Sequence, residues 1–374
     1  MRRIIILLLK FLSSLVTQLL LCAPNKKKYF VFSAKYGFSD NSKYLFLYYL
    51  KREINCVWVA ADNHSYDEVV KIVDNYPHAR VVKRNSLPLL FILAKAKYVF
   101  VTHSFLDLGI LAIKNCLVIN LWHGIPIKKM GYDSINDIEL FSLDSINPYI
   151  SNDFLIASSQ TTKPFLMSCM KLSAAKVLPL GQPRNDFLFD NKNDQQLINE
   201  LKIYYSNSIA VRVFLFAPTF RDKEQLSKVI YTDLISSFSM HANKDDVLVL
   251  RLHPKERILL AHFNLPYNVK LSAIDDVQEE LLAADILISD YSSIIFDFSI
   301  LARPILLYTP DKDSYFNNRG GSYFDYDDIL QECMHIETSE LDSVWGTNFK
   351  ECNFTKLASL HSRFACKNIH DQFN

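Results

Sequence analysis

The stretch from Leu287 to Phe298 constrains the fold of this chain more than any other. Its apolar start gives way to small polar residues, and a second apolar run with helical spacing follows directly. This pattern is typical of a buried strand that leads straight into a helix. The first turn of such a helix has free backbone N–H groups at the positive end of the helix dipole, and the hydroxyls of Ser292 and Ser293 add donors there. The turn therefore suits a phosphate or diphosphate, although the same residues also suit a plain N-cap.

Alternating strands and helices are predicted along most of the chain. Strands that alternate with helices indicate a parallel sheet with right-handed crossovers. Residues 94–104 and 283–292 share one pattern, a helix end followed by a strand and a polar turn, which indicates two Rossmann-like halves. Further apolar runs predict strands at 28–33, 56–60, 79–82, 118–121, 211–218, 247–254 and 303–308, and helical patterns cover 41–51 and 66–76.

Length and composition predict an α/β protein with two main domains. A chain of 374 residues is too long for one ordinary core, and its 49% hydrophobic residues exclude disorder. The seven cysteines are scattered without a C-x-x-C pair, which argues against a disulfide framework or a zinc site and fits a reducing compartment. With a hinge near 180–205, we predict an N-terminal membrane-associating helix at 1–27, Rossmann-like domains at 28–190 and 191–340, and a helical tail at 341–374.

Positive charge is concentrated at the N-terminus. Residues 1–39 hold seven Lys or Arg and no Asp or Glu, whereas the rest of the chain holds 34 basic and 40 acidic residues. Residues 4–23 are mostly apolar, but Lys10 and four polar residues fall on one side of a helix. We expect this segment to lie on an anionic membrane surface. A spanning helix and a helix packed on the adjoining domain stay open as alternatives.

The run Trp122-His123-Gly124 ends a predicted buried strand. Gly124 allows a close approach of backbones at this point. Histidine is the side chain best suited to accept a proton near neutral pH, so His123 is the candidate general base. An isolated histidine of this kind is nevertheless more often a core residue. Lys128 and Lys129 follow closely and suit either a phosphate-bearing substrate or a solvated surface.

A second polar cluster, Arg251-Leu252-His253-Pro254, ends a predicted strand in the second half. Arg251 and His253 are two residues apart on that strand, so both side chains point to the same face. A cationic pair beside a helix N-terminus has the outline of a diphosphate clamp. His253 would bind a phosphate oxygen or protonate a leaving group, and the alternative is a strand-end pair that faces solvent.

Four more positions are candidates for contacts with an anionic or ribose group. Thr219 and Arg221 follow a predicted strand and could reach an anionic ligand. Asp297 lies one turn inside the helix predicted after residue 293 and could meet ribose hydroxyls or a base, or pair with Arg303. Arg319 belongs to a basic, glycine-containing loop that could close over phosphate. Each of these segments also suits an ordinary surface turn.

Several motifs that define other enzyme classes do not occur in the sequence. There is no G-x-x-x-x-G-K-[ST] P-loop, no G-x-G-x-x-G fingerprint and no G-x-S-x-G elbow, so kinase, dehydrogenase and hydrolase hypotheses lose support. No metal-ligand spacing is evident. We therefore predict no metal site, no cofactor and no nucleic-acid partner, while a divalent cation stays open.

Taken together and in order, these segments resemble the CDP-glycerol glycerophosphotransferase family, which includes the teichoic-acid primases and polymerases. The resemblance covers roughly residues 30–330, and Ile125 stands where the family usually has Thr. The matching segments are 38–44 (FSDNSKY), 122–129 (WHGIPIKK), 157–160 (ASSQ), 181–186 (GQPRND), 217–222 (APTFRD), 251–254 (RLHP) and 289–293 (SDYSS) with Asp297.

The resemblance implies a GT-B architecture in which the C-terminal half binds most of a CDP-alditol donor and the N-terminal half serves the acceptor. It implies transfer of glycerol phosphate or ribitol phosphate to a hydroxyl of a membrane-linked saccharide or polymer, with release of CMP, at the cytoplasmic face of the cell membrane. On this basis His123 and His253 are the predicted catalytic residues. The predicted donor-binding residues are Arg251, Thr219, Arg221, Asp290, Ser292, Ser293, Asp297 and Arg319, and the predicted acceptor-binding residues are Trp122, Gly124, Lys128 and Lys129.

Two alternatives keep the same fold. A GT-B glycosyltransferase that uses a nucleotide sugar would also need a diphosphate site and a base. A membrane-bound scaffold with an inactive nucleotide fold would need neither, and the presence of both His123 and His253 disfavours it.

Overall fold

The structure is a computed structural model that describes residues 28–109, 116–135, 137, 152–206, 211–221, 224–252, 264–319, 321–349 and 351–374. The predicted N-terminal membrane-associating helix at 1–27 and the predicted catalytic residue His253 lie outside the described residues. Within the described ranges, no helix is both long enough and apolar enough to cross a bilayer.

The first lobe, as described, is built on a seven-stranded sheet whose strand pairs are all parallel. The strand order is β3-β2-β1-β4-β5-β6-β7, so the direction of winding reverses between β1 and β4. The strands are β1 (Tyr29–Ser33), β2 (Cys56–Ala60), β3 (Ala79–Lys83), β4 (Ala96–Val101), β5 (Leu117–Asn120), β6 (Phe154–Ile156) and β7 (Val177–Leu178). Its helices are α1 (Asp40–Leu50), α2 (Asn63–Val73), α3 (Leu87–Ala94) and α4 (Lys163–Met170), with single 3₁₀ turns at Phe105–Leu108 and Gly131–Asp133.

The second lobe contains a six-stranded sheet in the described part of the chain, again with parallel pairs throughout. Its order, β10-β9-β8-β11-β12-β13, is the order of a classical dinucleotide-binding sheet, and its winding reverses between β8 and β11. The strands are β8 (Val213–Phe216), β9 (Val247–Leu250), β10 (Val269–Leu271), β11 (Ile286–Ser289), β12 (Ile305–Tyr308) and β13 (Met334–Ile336).

The remaining helices connect the lobes or cover the second sheet. They are α5 (Pro183–Asn191), α6 (Gln195–Lys202), α7 (Glu224–His241), α8 (Val277–Ala283), α9 (Ile294–Ser299), α10 (Lys312–Arg319), α11 (Tyr326–Ile329), α12 (Leu341–Val344), α13 (Thr355–Ala358) and α14 (Ala365–Phe373), with a 3₁₀ turn at Thr338–Glu340.

The predicted α/β class with parallel sheets is confirmed. The apolar runs became strands because side chains on both faces of these sheets are buried under helices, as the fully buried pattern of β1, β2 and β8 shows. The internal repeat also has a structural meaning. Its two copies form β4 and β11, and each of these strands pairs with the first strand of its own sheet across the point of reversal.

Three segments pack away from the sheet that precedes them in the chain. Ile125 and Ile127, just after β5, belong to the hydrophobic core of the second lobe, and so does Leu188 of α5. In the opposite direction, Ile369 and Phe373 of α14 return to the core of the first lobe. The lobes are therefore tied together by exchanged apolar side chains. The domain boundaries at 190 and 340 stay predictions.

Candidate active site

A cleft of about 440 Å³ lies between the carboxyl ends of the two sets of strands. Ligands of open parallel sheets bind at this edge, near the reversal of strand order, and the volume lies in the usual range for a small-molecule site. The lining residues come from both lobes: 122–128 and Met130 after β5, 217–220 after β8, Arg251 and Leu252 after β9, 291–294 after β11, and Tyr315 of α10.

His123 enters this cleft from a strained turn. The preceding residue, Trp122, has a φ of +60°, a left-handed conformation that costs a bulky residue about 1–3 kcal/mol. Two asparagines stabilise the turn. Asn120 Oδ1 accepts from the backbone N–H of Trp122 at 2.8 Å, and Asn41 Nδ2 donates to the carbonyls of Leu121 and Trp122 at 3.3 and 2.9 Å. The imidazole is thus presented by a loop whose backbone is fixed from two sides.

The ring of His123 stacks on two aromatic neighbours. Its centroid lies 4.2 Å from the Trp122 ring and 4.3 Å from the ring of His103, with interplanar angles of 28° and 15°. Burial lowers the pKa of His123 well below its ordinary value, and His103, Arg184 and Lys35 act in the same direction. His123 is therefore neutral at physiological pH and can accept a proton.

Gly124 lies where the lobes approach each other closely at the cleft. Its φ is +152°, and a Cβ at this position would come within 2.7 Å of Ser293 Oγ in the second lobe. Only glycine fits here without displacing Ser293. The turn after β5 and the turn after β11 are therefore held against each other.

Arg184 joins the two lobes directly beneath this turn. Nη1 lies 2.9 Å from Asp40 Oδ1 and donates to the backbone carbonyl of His123 at 3.0 Å, while Nη2 lies 2.7 Å from Asp297 Oδ2. Arg184 is only 6% exposed. Although burial opposes its charge, Asp297 and Asp40 raise the pKa of Arg184 above its ordinary value. A permanent cation thus holds a carboxylate from each lobe and the main chain of the candidate base.

The floor of the cleft in the second lobe is an ion-pair cluster. Arg221 binds Asp311 through Nε and Nη2 at 2.8 and 2.9 Å, and Asp290 through Nη1 at 2.8 Å. Asp290 also accepts from the backbone N–H of Thr219 at 2.8 Å. Arg221 is 5% exposed and Asp290 1% exposed, so both act as a rigid support beneath the cleft. The hydroxyl of Thr219 is buried as well, and its side-chain interaction with Asp290 favours the charged form of that carboxylate.

Ser292 and Ser293 line the cleft at the start of α9. Ser292 Oγ accepts from the backbone N–H of Ile294 at 3.4 Å, and Ser293 is the N-cap residue with no side-chain cap hydrogen bond. Both residues are partly exposed. The strand-to-helix turn predicted from the sequence is confirmed, and it places two hydroxyls opposite His123.

Arg251 also lines the cleft, but it follows the strand instead of belonging to it, because β9 ends at Leu250 and not at 254 as the sequence indicated. Its Nη1 lies 2.6 Å from Glu280 Oε2, and the guanidinium donates to the backbone carbonyls of Ile274 and Asp275, both at 2.9 Å. Glu280 therefore compensates the charge of Arg251 within the second lobe. The pairing fixes the guanidinium at the rim of the cleft.

Lys128 and Lys129 lie on a segment that crosses to the second lobe. Lys128 forms an isolated antiparallel bridge with Ser322, and the backbone N–H of Lys129 donates to the carbonyl of Gly321 at 3.0 Å. Lys128 lines the cleft, whereas Lys129 is exposed and its aliphatic stem lies near Gly321. The two lysines therefore sit at the seam between the lobes rather than wholly in the first one.

Of two further predicted site residues, Asp297 is placed away from free contact with a ligand. Asp297 pairs with Arg184, so the suggested pairing with Arg303 is wrong, since Arg303 donates to the carbonyls of Leu282 and Ala284 at 2.7 and 2.5 Å. The segment predicted as a loop around Arg319 ends a helix, α10, and the side chain of Arg319 is outside the described part. In the described residues, no group of three His, Cys, Asp or Glu side chains is arranged to hold a metal ion.

The sequence indicated no role for His103, and Arg184 appeared only within the GQPRND segment, near the predicted hinge at 180–205. His103 lies in the polar turn that closes the first copy of the internal repeat, so its position after a strand was a usable signal. Arg184 lies in the GQPRND segment, but its partners Asp40 and Asp297 are more than 100 residues away in either direction. No local pattern could reveal that triad.

Comparison with known proteins gives one consistent result. The family model described as CDP-Glycerol:Poly(glycerophosphate) glycerophosphotransferase matches residues 15–341. A teichoic acid poly(glycerol phosphate) polymerase of Bacillus spizizenii is 29% identical over 334 residues, which cover 84% of this chain and 82% of that protein. A teichoic acid ribitol-phosphate primase of the same organism is 31% identical over 216 residues, which cover 56% of each chain.

Among solved structures, the wall teichoic acid polymerase TagF is similar, with a TM-score of 0.72 and 25% sequence identity. The match covers 93% of this chain and 88% of the TagF chain. The similarity therefore includes both sheets and the cleft between them.

Proposed function

Because the chain belongs to the CDP-glycerol:poly(glycerophosphate) glycerophosphotransferase family and is therefore a transferase, we propose that it moves an alditol phosphate from a CDP-alditol to an acceptor hydroxyl. The alditol is glycerol or ribitol, and the acceptor is a teichoic-acid-type saccharide or polymer. The single observation that carries the proposal is the placement of the neutral imidazole of His123 across one cleft from the hydroxyl side chains of Ser292, Ser293 and Thr219.

The second lobe is the proposed donor site. Hydroxyls at Thr219, Ser292 and Ser293 line the cleft and can donate to phosphate oxygens. Arg221 and Asp290 do not need to touch the donor in this account. Their ion pair fixes the turn after β8, because Asp290 binds the backbone of Thr219 and Arg221 donates to its carbonyl. Donors held in this way need no reorganisation when charge develops, which is the main source of electrostatic catalysis.

The first lobe is the proposed acceptor side. An acceptor hydroxyl attacks the phosphorus that bears the alditol, and His123 takes the hydroxyl proton. A new P–O bond forms to the acceptor, while the bond from that phosphorus to the bridging oxygen of CMP breaks. CMP leaves with the bonding electron pair. Trp122 and Gly124 shape this side of the cleft, and Lys128 adds positive charge at its edge.

The charge that grows on the departing CMP needs a cationic neighbour. Arg251 lies at the rim of the cleft and is the described residue that we assign to this task. His253 follows it by two positions and keeps its predicted role beside the leaving group. Glu280 lowers the net charge that Arg251 offers, so the contribution of Arg251 is expected to come from directed hydrogen bonds more than from net charge.

We also propose peripheral attachment to the cytoplasmic face of the cell membrane through residues 1–27, with a lipid-linked acceptor. The support is compositional, since the first 39 residues carry seven Lys or Arg and no acidic residue beside an apolar segment. Such a segment is attracted to anionic lipid surfaces. A capsule-type polymer would serve as an acceptor in the same way, through its hydroxyl groups.

A donor screen tests the proposed function. The purified full chain is incubated with CDP-glycerol, CDP-ribitol, UDP-N-acetylglucosamine or a CMP-sugar, and with an acceptor polymer, and nucleotide release is measured. We expect CMP release with one of the CDP-alditols and none with the nucleotide sugars. Release of UDP from a UDP-sugar, or of CMP from a CMP-sugar, with no reaction of either CDP-alditol would overturn the proposal in favour of a glycosyltransferase.

A further inference from the structure

His103 lies in the first lobe at a position equivalent to that of His123, one strand away. It follows β4, whereas His123 follows β5, and these two strands are paired in the sheet. The imidazoles lie almost parallel, with centroids 4.3 Å apart. His103 is not among the residues that line the cleft, but it contacts the ring of a residue that does. Its position is therefore behind the candidate base.

A chain of hydrogen bonds fixes the orientation of His103. Its Nδ1 lies 3.0 Å from Thr102 Oγ1, and that hydroxyl lies 3.3 Å from Asp107 Oδ2. The same carboxylate oxygen accepts from the backbone N–H groups of Thr102 and His103 at 3.1 and 2.9 Å. Asp107 is 3% exposed, and the backbone carbonyl of His103 accepts from Asn120 Nδ2 at 2.8 Å. Since Asp107 can only accept, the Thr102 hydroxyl donates to it and in turn accepts from His103 Nδ1–H.

The charges around the two imidazoles come from several elements. Lys35 after β1 and Arg184 of α5 disfavour a positive charge on either ring, while Asp40 of α1 and Asp107 favour one on His103. Across the cleft, Arg251 is the cation of the second lobe among the described lining residues. Two imidazolium ions about 4 Å apart would repel by several kcal/mol in a partly buried site. The pair of His103 and His123 can therefore carry one positive charge, whereas protonation of both rings is unfavourable.

We propose that His103 is a positioning residue of the transfer reaction, whose imidazole, anchored through Thr102 to Asp107, holds the ring of His123 in place and keeps it uncharged until the acceptor proton arrives. The direction of the pKa values agrees, because burial and the proximity of His103 both lower the pKa of His123. This inference rests on the proposed function for its kinetic consequence, whereas its effect on His123 rests on the stacked rings and the hydrogen bonds of His103 and does not depend on that function.

The test uses two substitutions with different consequences. His103→Phe keeps a flat ring on His123 but cannot be charged, whereas His103→Ala removes the stack. His64→Phe is the matched control, since His64 is a first-lobe histidine whose side chain is 79% exposed. The melting temperature of each variant is measured first, and the phenylalanine variant preserves the test if the alanine variant does not fold.

The first readout needs no substrate. Histidine labelled with ¹³C at Cε1 is titrated by NMR, and the resonance of His123 is identified by its loss in His123→Gln. In His103→Phe we expect the pKa of His123 to rise by about 0.5–1 unit, because a competing cationic site has been removed. No change in this pKa in either His103 variant would overturn the inference.

The second readout is CMP release with the donor identified in the screen. In His103→Phe we expect the acidic limb of kcat/KM to move to higher pH by the same shift, with kcat near that of the wild type. In His103→Ala we expect kcat to fall about tenfold at an unchanged donor KM, because the base is no longer held in line. Wild-type kcat and an unmoved limb in both variants would refute the role. If the wild type does not release CMP but the NMR shift is observed, the proposed function is refuted. The effect of His103 on the pKa of His123 is then still supported.

Discussion

The two sides of the cleft are built from the same kind of strand-end turn but carry different side chains. Each side uses the turns that follow adjacent parallel strands near the reversal of strand order. In the first lobe these turns carry stacked aromatic and imidazole rings on a strained backbone at Trp122. In the second lobe they carry hydroxyls above the buried ion pair of Arg221 and Asp290.

This difference shows how one sheet type can bring a base and an anion site together. A base must be uncharged before the reaction, and burial among rings with cations nearby achieves that for His123. An anion site needs directed donors that do not move, and the ion pair beneath Thr219 achieves that. Arg184, which binds a carboxylate from each lobe, keeps the two sides in register.

The largest effect is expected at His123. His123→Ala, and His123→Gln as the variant closer in volume, should lower turnover by about 10²–10⁴-fold, the usual contribution of a general base. CMP release under saturating donor measures the loss. Turnover near that of the wild type in both variants would remove His123 from the mechanism.

Arg184→Met tests the contact between the two sides. It leaves the carboxylates of Asp40 and Asp297 without their shared cation, and the loss of one partner from a buried pair costs about 3–5 kcal/mol of unfolding free energy. Urea denaturation followed by circular dichroism measures this value. Lys367→Met, which removes an exposed helical ion pair with Asp371, is the control and should lose far less stability. Equal losses in the two variants would show that Arg184 does not tie the lobes.

Gly124→Ala tests the close approach between the two sides. The new Cβ would meet Ser293 Oγ at 2.7 Å on a backbone with a φ of +152°, so we expect a loss of about 1–3 kcal/mol in stability. Adding Ser293→Gly should recover part of it. Gly346→Ala is the control, because a Cβ at that position would have no described atom within 4 Å. If Gly124→Ala is no less stable than this control, the lobes are not in contact at Gly124 in solution.

A smaller effect is expected at Thr219. Thr219→Val keeps the shape of the side chain and removes a buried hydroxyl of a residue that lines the cleft. If that hydroxyl binds a donor phosphate, the dissociation constant of the CDP-alditol should rise by about 5- to 10-fold, which corresponds to about 1–1.4 kcal/mol. Ser314→Ala, at an exposed serine of α10, should leave the constant unchanged. Equal affinities in the two variants would exclude Thr219 from the donor site.

The pH dependence of the reaction gives the smallest and most specific signature. His123 acts in its deprotonated form, and burial lowers its pKa well below 6.5. Activity should therefore persist below pH 6.5 and fall only at a lower pH, as His123 becomes protonated. A plot of kcat/KM against pH checks this prediction. An acidic limb at or above pH 6.5 that disappears in His123→Gln would show that His123 has an ordinary pKa.

The elements that the sequence predicted are those with a local signal. The apolar runs of β1, β8 and β11 stand out because both faces of each strand are buried, and the turn at Ser292 and Ser293 follows directly from the end of such a run. The position of His123 at a strand end was predictable for the same reason.

What the sequence could not predict depends on contacts between distant residues. The Arg184 triad, the second-lobe packing of Ile125 and Ile127, and the stacking of His103 on His123 all arise only when the sheets are assembled. Asp297 illustrates the limit: its nearest basic residue in the chain is Arg303, yet its partner is Arg184.

We assign the general base to the first lobe and the donor site to the second, and this division between the lobes is the central claim. Isothermal titration of His123→Gln with the CDP-alditol identified in the screen tests it most directly. We expect a dissociation constant within about twofold of the wild-type value, although turnover of this variant is about 10²–10⁴-fold lower. A dissociation constant weakened by about tenfold or more, equivalent to about 1.4 kcal/mol, would place His123 in donor binding and contradict this division.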